Sequence, residues 1–185
     1  PKGVSRPFYS ERDGCVMGEG AGMLILESEE HAKARGARVL AELSGYGATN
    51  DAFHLVQPDP EGRGAISAMR KAIAEADIVP SDIDYINAHG TSTPYNDLSE
   101  TKAVKTVWGD ATPPPMSSTK SLVGHLMGAS GSVEAVIAVK SILENRAHPT
   151  VNLKNPDPEC DLDYIPEGVR EFEINTVLSN SFGFG

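Results

Sequence analysis

Apolar positions along the chain mark out alternating extended and helical segments. From Cys15 to Glu27 glycines punctuate an extended stretch that ends in the apolar run Met23-Leu24-Ile25-Leu26, which predicts a strand. Ser28 to Arg35 reads as a short helix, with Ser28 suited to the N-cap and Gly36 to the stop. From Arg38 to Gly47 the residues Val39, Ala41 and Leu43 fall on one face, predicting a second strand. Glu61 to Asp77 carries Ile66, Met69, Ile73 and Ala76 at helical spacing. Ile83 to Asn87 predicts a short strand that delivers His89 at its C-terminal end, and Asn96 to Trp108 a helix opened by an Asn/Asp cap. Beyond the break at Pro113-Pro114-Pro115, Gly131 to Asn145 predicts a third long segment of helix with Val133, Val136, Ile137 and Leu143 facing inward. A loop rich in Pro and Asp covers Pro149 to Pro166, and Thr176 to Ser181 predicts a last strand. Strands alternating with helices point to a layered α/β fold.

Composition narrows the class without changing this outline. A chain of 185 residues, 39% hydrophobic and 23% charged, is ordinary for one soluble globular domain. No apolar run approaches the roughly 18 residues of a membrane span, and the first ten residues lack the layout of a signal peptide. The missing initial methionine and the end on a loop give the expectation of a portion of a longer chain. Cys15 and Cys160 are too few for a disulfide framework and too far apart for a zinc motif, which fits a reducing cytoplasm. The net charge of −10 argues against a nucleic-acid partner, whose phosphates require clustered cations.

Candidate chemistry concentrates in two segments, Asn87-Ala88-His89-Gly90-Thr91-Ser92-Thr93 and Ser118-Thr119-Lys120-Ser121-Leu122-Val123-Gly124-His125. If His89 and His125 converge, two neutral imidazoles can each donate one N–H to a single thioester oxygen and form an oxyanion hole. Such a hole stabilises the enolate left when a malonyl thioester loses carbon dioxide, or the tetrahedral intermediate of acyl transfer. His125 lies just before a helix start, where positive potential disfavours the imidazolium, and Lys120 acts in the same direction. Two unrelated histidines capping turns are the competing interpretation. Cys15 lies on an apolar strand without the elbow that activates a thiol, so a buried, inert role is expected and no nucleophile is identified. Gly18-Glu19-Gly20-Ala21-Gly22 lacks the spacing of a dinucleotide site. His31 is expected to be solvated and His54 structural, and His148, in a loop before Pro149, receives no chemistry.

Asn87 to Pro94, Ser117 to His125 and Asn180-Ser181-Phe182-Gly183-Phe184-Gly185 together resemble motifs of the β-ketoacyl-acyl carrier protein synthases, specifically the chain-elongating type II. Arg12-Asp13-Gly14 and Asn155-Pro156-Asp157 extend the resemblance over essentially the whole chain, with Cys15 departing from the family's usual phenylalanine. The resemblance implies a thiolase-like layered αβαβα fold, with residues 1–36 ending an N-terminal half and 37–185 forming a C-terminal domain that lacks its last strand. It implies decarboxylative Claisen condensation in fatty acid elongation, with the acylated cysteine upstream of this chain, which alone would be inactive. His89 and His125 would be catalytic, organised by Lys120. Thr91 and Thr93 would bind the pantetheine arm, Phe182 and Phe184 would line the gate by the nucleophile, and Arg6 would face the carrier protein. Asn87, Glu134, Ser179 and Asn180 would surround a structural monovalent cation, potassium or sodium, with no cofactor required. A soluble cytoplasmic homodimer serving an acyl carrier protein follows from the same resemblance. A polyketide-type ketosynthase and a non-catalytic chain-length factor or scaffold are the alternatives, the former disfavoured by Ser92, where such domains usually carry glycine.

Overall fold

The structure is a computed structural model that describes residues 3–183. Helix α1 (Glu29–Ala34) starts at Ser28, whose hydroxyl accepts the His31 backbone N–H, and ends before Gly36 at a positive φ of 66°. Helix α2 (Arg63–Glu75) buries Met69 and Ile73 of its expected stripe. Strand β1 (Tyr85–Asn87) leads to helix α3 (Pro94–Trp108), which begins two residues earlier than expected. The cap is Thr93 rather than Asn96. Its hydroxyl accepts the Asn96 N–H, and Pro94, which has no N–H to leave unpaired, occupies the first turn. Strand β2 (Met116–Ser117), the single turn α4 (Lys120–Val123) and helix α5 (Ser130–Glu144) follow. An antiparallel ladder pairs β3 (Arg146–Ala147) with β4 (Arg170–Glu171), and β5 (Val177–Ser179) is the last strand of the described chain.

The central sheet is parallel, in the order β2-β1-β5. Because side chains alternate across a strand, β1 feeds two cores. Ile86 joins Phe8, Met69, Ile73, Val104, Trp108 and Tyr164 on one side, while Tyr85 joins Ala147, Ile165 and Ile174 on the other. Phe8 stacks on Tyr164 with ring centroids 3.8 Å apart, and its backbone N–H reaches Asp97, so the N-terminal segment is part of the core.

Two expectations fail. Neither 15–27 nor 38–47 forms a ladder; Met17 makes one isolated parallel bridge with His125, and the rest lacks a partner strand among the described residues. A strand is defined by its hydrogen-bonded neighbour, and among the described residues 38–47 has no partner strand and 15–27 only the single bridge to His125. Their apolar side chains remain open, with Met23, Ile25 and Leu43 between 75% and 87% exposed, along a concavity of about 1450 Å³ that α2, α5 and β5 also line. Helix α5 meets its expected inward face only in part, with Val133 and Ile137 half-buried. Val136 and Leu143 are exposed, and the buried side chains are Ser130, Glu134 and Ser141. Glu134 points inward because Lys120 is there to receive it.

Removing the Phe8 ring while keeping the chain folded is a direct measure of how firmly the N-terminal segment holds. Phe8→Ala is expected to lower stability by about 3–5 kcal/mol, read as a fall in the urea midpoint with an unchanged slope.

Candidate active site

The parallel register sets Asn87 beside Ser117 on one flank and Ser179 on the other, so three strands end in one row. The chain leaving that row delivers His89, Lys120 and Phe182 to the same edge, the usual place for chemistry in a parallel sheet. His89 is buried, and its backbone N–H and that of Gly90 donate to the two carboxylate oxygens of Glu100, each at 2.8 Å. Gly90 has φ +41°, and a β-carbon there would come within 2.5 Å of the Ser118 β-carbon. The loops carrying His89 and Lys120 can therefore close only on glycine, and Ser118 Oγ fastens them by donating to Gly90 O at 2.7 Å.

His89 and His125 do converge. Their ring centroids are 5.6 Å apart at an interplanar angle of 84°, and the Phe182 ring lies 5.3 Å from His89. The protonation of His125 follows from its neighbours. The Met127 backbone N–H donates to Nδ1 at 3.1 Å. Ser130 Oγ accepts the Leu126 N–H and directs its own proton to the same nitrogen, also at 3.1 Å. Nδ1 is thus the acceptor, which leaves the proton on Nε2.

Lys120 is 1% exposed, and its Nζ donates to Glu134 Oε1 at 2.5 Å. Burial holds His89 well below the ordinary imidazole value, with Lys120 and His125 adding to the effect. Burial and then Lys120 lower His125 as well. Burial pushes the Glu134 carboxyl up, and the Lys120 ammonium opposes that rise. The site contains two neutral imidazoles beside one paired cation.

The other expected residues divide. Asn87 and Asn180 are buried in the same row, linked by Asn180 N–H to Asn87 O at 2.9 Å, while Ser179 is exposed at the strand end. Thr91 and Thr93 hydroxyls bond each other at 2.9 Å. Arg6 is held back from solvent, its guanidinium bonded to Asp13 and the Glu11 carbonyl and lying over the Tyr9 ring. Phe184 lies outside the described residues. Cys15 is half-buried rather than buried, and Cys160 is buried with its thiol pushed up to about 11.

Sequence reasoning missed two carboxylates. Glu100 also accepts Asn180 Nδ2 at 3.1 Å, tying the exits of β1 and β5 to α3. Asp97, fully buried and pushed up to about 6 by burial, accepts the N–H groups of Phe8 and Ser92. Both lie three apart on one face of α3, directly after the histidine turn. That spacing is a usable signal, because loop N–H groups at a helix start require acceptors.

Residues 40–154 match the family described as β-ketoacyl synthase, C-terminal domain. The chain belongs to the β-ketoacyl synthase family. Over its full length the chain is 53% identical to 3-oxoacyl-(acyl-carrier-protein) synthase 2 of Synechocystis and 50% identical to the protein of that name in Coxiella burnetii. It spans 45% of each. Among solved structures, a type II polyketide ketosynthase in complex with its acyl-carrier protein superposes with a TM-score of 0.95 at 44% identity. A β-ketoacyl synthase from Burkholderia phymatum gives 0.91 at 42% identity. The alignments cover 99% and 100% of the chain and 45% of each neighbour. The fold is the thiolase-like layered α/β fold of the ketosynthases.

Lys120 and Glu134 test each other. Lys120→Met alone strands a buried carboxylate and is expected to cost about 3–5 kcal/mol, whereas Lys120→Met with Glu134→Gln recovers most of that loss. In the double variant both imidazole titrations move upward, measured by NMR of the ring protons. The depressed His89 value also carries a pH dependence. Its stabilising contribution is complete above the unfolded value of 6.5 and is lost as pH falls from there towards the folded one. The raised Asp97 has the opposite sign between 3.8 and about 6. Subtracting the His89→Gln melting curve from that of the parent, between pH 7.5 and 5, isolates the histidine, and the parent's advantage should shrink on acidification.

Proposed function

We propose that this chain supplies the decarboxylation half of a 3-oxoacyl-acyl carrier protein synthase active site, in an enzyme that elongates fatty acyl chains by decarboxylative Claisen condensation. The observation that carries this reading is the pair of near-perpendicular imidazoles 5.6 Å apart, kept neutral beside buried Lys120. When the carbon–carboxylate bond of a malonyl thioester breaks, its electron pair passes to the α-carbon and the thioester oxygen becomes an enolate. His125 donates Nε2–H to that oxygen and His89 donates the second hydrogen bond. Donors already fixed in a water-poor site require no reorganisation as the charge develops. The enolate carbon then attacks an acyl thioester on a cysteine supplied from outside this chain, and the thiolate departs. Phe182, against His89, shields the enolate from water.

The substrates would arrive on an acyl carrier protein, with Thr91 and Thr93 meeting the pantetheine arm and Arg6 contributing at the mouth. A homodimer in the cytoplasm completes the reading. No helix among the described residues is long and apolar enough to cross a membrane. The open apolar concavity between 23–27, 38–50, α2 and α5 would be covered by the rest of the enzyme, in keeping with the 45% span of the relatives. Two buried acceptors, Asn87 Oδ1 and Glu134 Oε2, lack protein partners among the described residues. They fit the oxygen donors of a potassium or sodium site completed by Ser179 and Asn180, where the ion would hold the carboxylate beside Lys120 and fix the row of strand ends. A polyketide-type ketosynthase is the second reading, favoured by the 44% identity to such an enzyme.

The full-length synthase containing this chain provides the test. His125→Ala should reduce malonyl decarboxylation by roughly a hundredfold or more, while Cys15→Ser should leave condensation within about twofold of the parent, because the nucleophile lies elsewhere. Retained turnover in the first variant, or abolished condensation in the second, overturns the assignment.

A further inference from the structure

His148 lies outside the site assembled above, yet its ring is enclosed by Tyr85, Ser117 and Thr119. Its hydrogen bonds have a forced direction. Nδ1 lies 3.0 Å from the Pro149 carbonyl oxygen, which can only accept, so the proton resides on Nδ1. In the neutral ring Nε2 must then accept, and the nearer of its two hydroxyl neighbours is Thr119 at 3.0 Å, since Tyr85 Oη lies at 3.3 Å and makes its short bond to Ser117 Oγ at 2.6 Å. With its proton committed to His148, Thr119 Oγ1 can only accept on its other side, where Asn87 Nδ2 donates at 2.9 Å. An amide whose nitrogen faces Thr119 turns its oxygen the opposite way, and Asn87 Oδ1 is the buried acceptor left without a partner.

We infer that His148 is a positioning residue that acts through Thr119 to orient the Asn87 amide, so that Asn87 Oδ1 is turned away from Thr119 and left free, like Glu134 Oε2, for the cation proposed above. The relay is directional at each step: Pro149 O fixes the tautomer, the tautomer fixes the Thr119 proton, and the Thr119 lone pair fixes which end of Asn87 it meets. Asn87 in turn accepts the Asn180 N–H on its backbone, so the orientation is set where β1 and β5 are joined. Burial lowers the His148 value and keeps the accepting form populated near neutrality. The inference rests on the reading of Asn87 and Glu134 given under the proposed function, but its structural core, the relay itself, stands on geometry alone.

The test uses the full-length synthase with selectively ¹⁵N-labelled asparagine, and reads the Asn87 side-chain amide together with kcat and KM. In the parent, the Asn87 amide protons should exchange slowly. His148→Leu and Thr119→Val should each accelerate that exchange by about tenfold and lower kcat by about three- to tenfold, the size of one net hydrogen bond, with KM for the malonyl carrier unchanged. The double variant should be no worse than either single one, since the two belong to one chain of bonds. His148→Gln, which can place an accepting oxygen near the Nε2 position, should recover the slow exchange and most of kcat. Potassium in place of choline chloride should raise the melting temperature of the parent more than that of His148→Leu. Unchanged amide exchange in His148→Leu, additive losses in the double variant, or a fall in stability alone with kcat preserved would each overturn the relay. Failure of the proposed function has a different mark, namely turnover that survives His125→Ala.

Discussion

The Glu100 carboxylate is the constraint on which the site geometry depends. It accepts the backbone N–H groups of His89 and Gly90 and the side chain of Asn180, and so binds the exits of two parallel strands to one helix. The β1 exit carries His89 and the β5 exit leads to Phe182, which explains why an imidazole and a phenyl ring from distant parts of the chain meet at 5.3 Å. An exposed carboxylate would bond water instead. Burial pushes this one up, and three donors together keep it an acceptor.

Charge inside the site is balanced locally rather than by solvent. Lys120 is the buried ammonium, and Glu134 accepts from it directly, with Glu100 and Asp97 each surrounded by N–H donors. A cation in that setting repels protons from both imidazoles, in the same direction as their burial. Neutral rings suit the enolate of the proposed reaction, because each can donate a hydrogen bond and keep its proton. The chemistry follows from how few charges the pocket holds and how each is partnered.

Much of this was legible in the sequence, for physical reasons that also explain what was not. Helix α1 was visible because its N-cap and glycine stop are local signals. The convergence of His89 and His125 was foreseeable from motifs that resemble a known family, while spacing alone did not settle it against two unrelated turn-capping histidines. The segments 15–27 and 38–47 have strand-like patterns, but a pattern cannot show whether a partner strand is present, and here they remain unpaired. Hydropathy placed Val136 and Leu143 inward, where they are exposed along the open concavity, and it cannot register that a lysine fourteen residues earlier waits for Glu134. His148 was passed over for a related reason. Its significance is in the direction of its hydrogen bonds, which no composition or period encodes.

The N-terminal segment extends this logic beyond the strands. Gly14 N–H donates to Ser92 O, Val16 O accepts from the His125 backbone N–H at 2.7 Å, and Gly18 N–H donates to His125 O. Five residues of extended chain therefore hold both histidine loops at once. Ser92 itself is a non-glycine residue at φ +68°, a conformation that costs on the order of 1 kcal/mol, and it is kept there by the Arg6 N–H on its hydroxyl and by Asp97 on its own N–H. Arg12 completes the fastening, reaching the carbonyls of Thr93 and Pro94 and the carboxylate of Asp157. The imidazole spacing is thus a property of the chain between Ser5 and Gly18 as much as of the two histidine motifs. A change that loosens this strap would separate the rings without touching either of them.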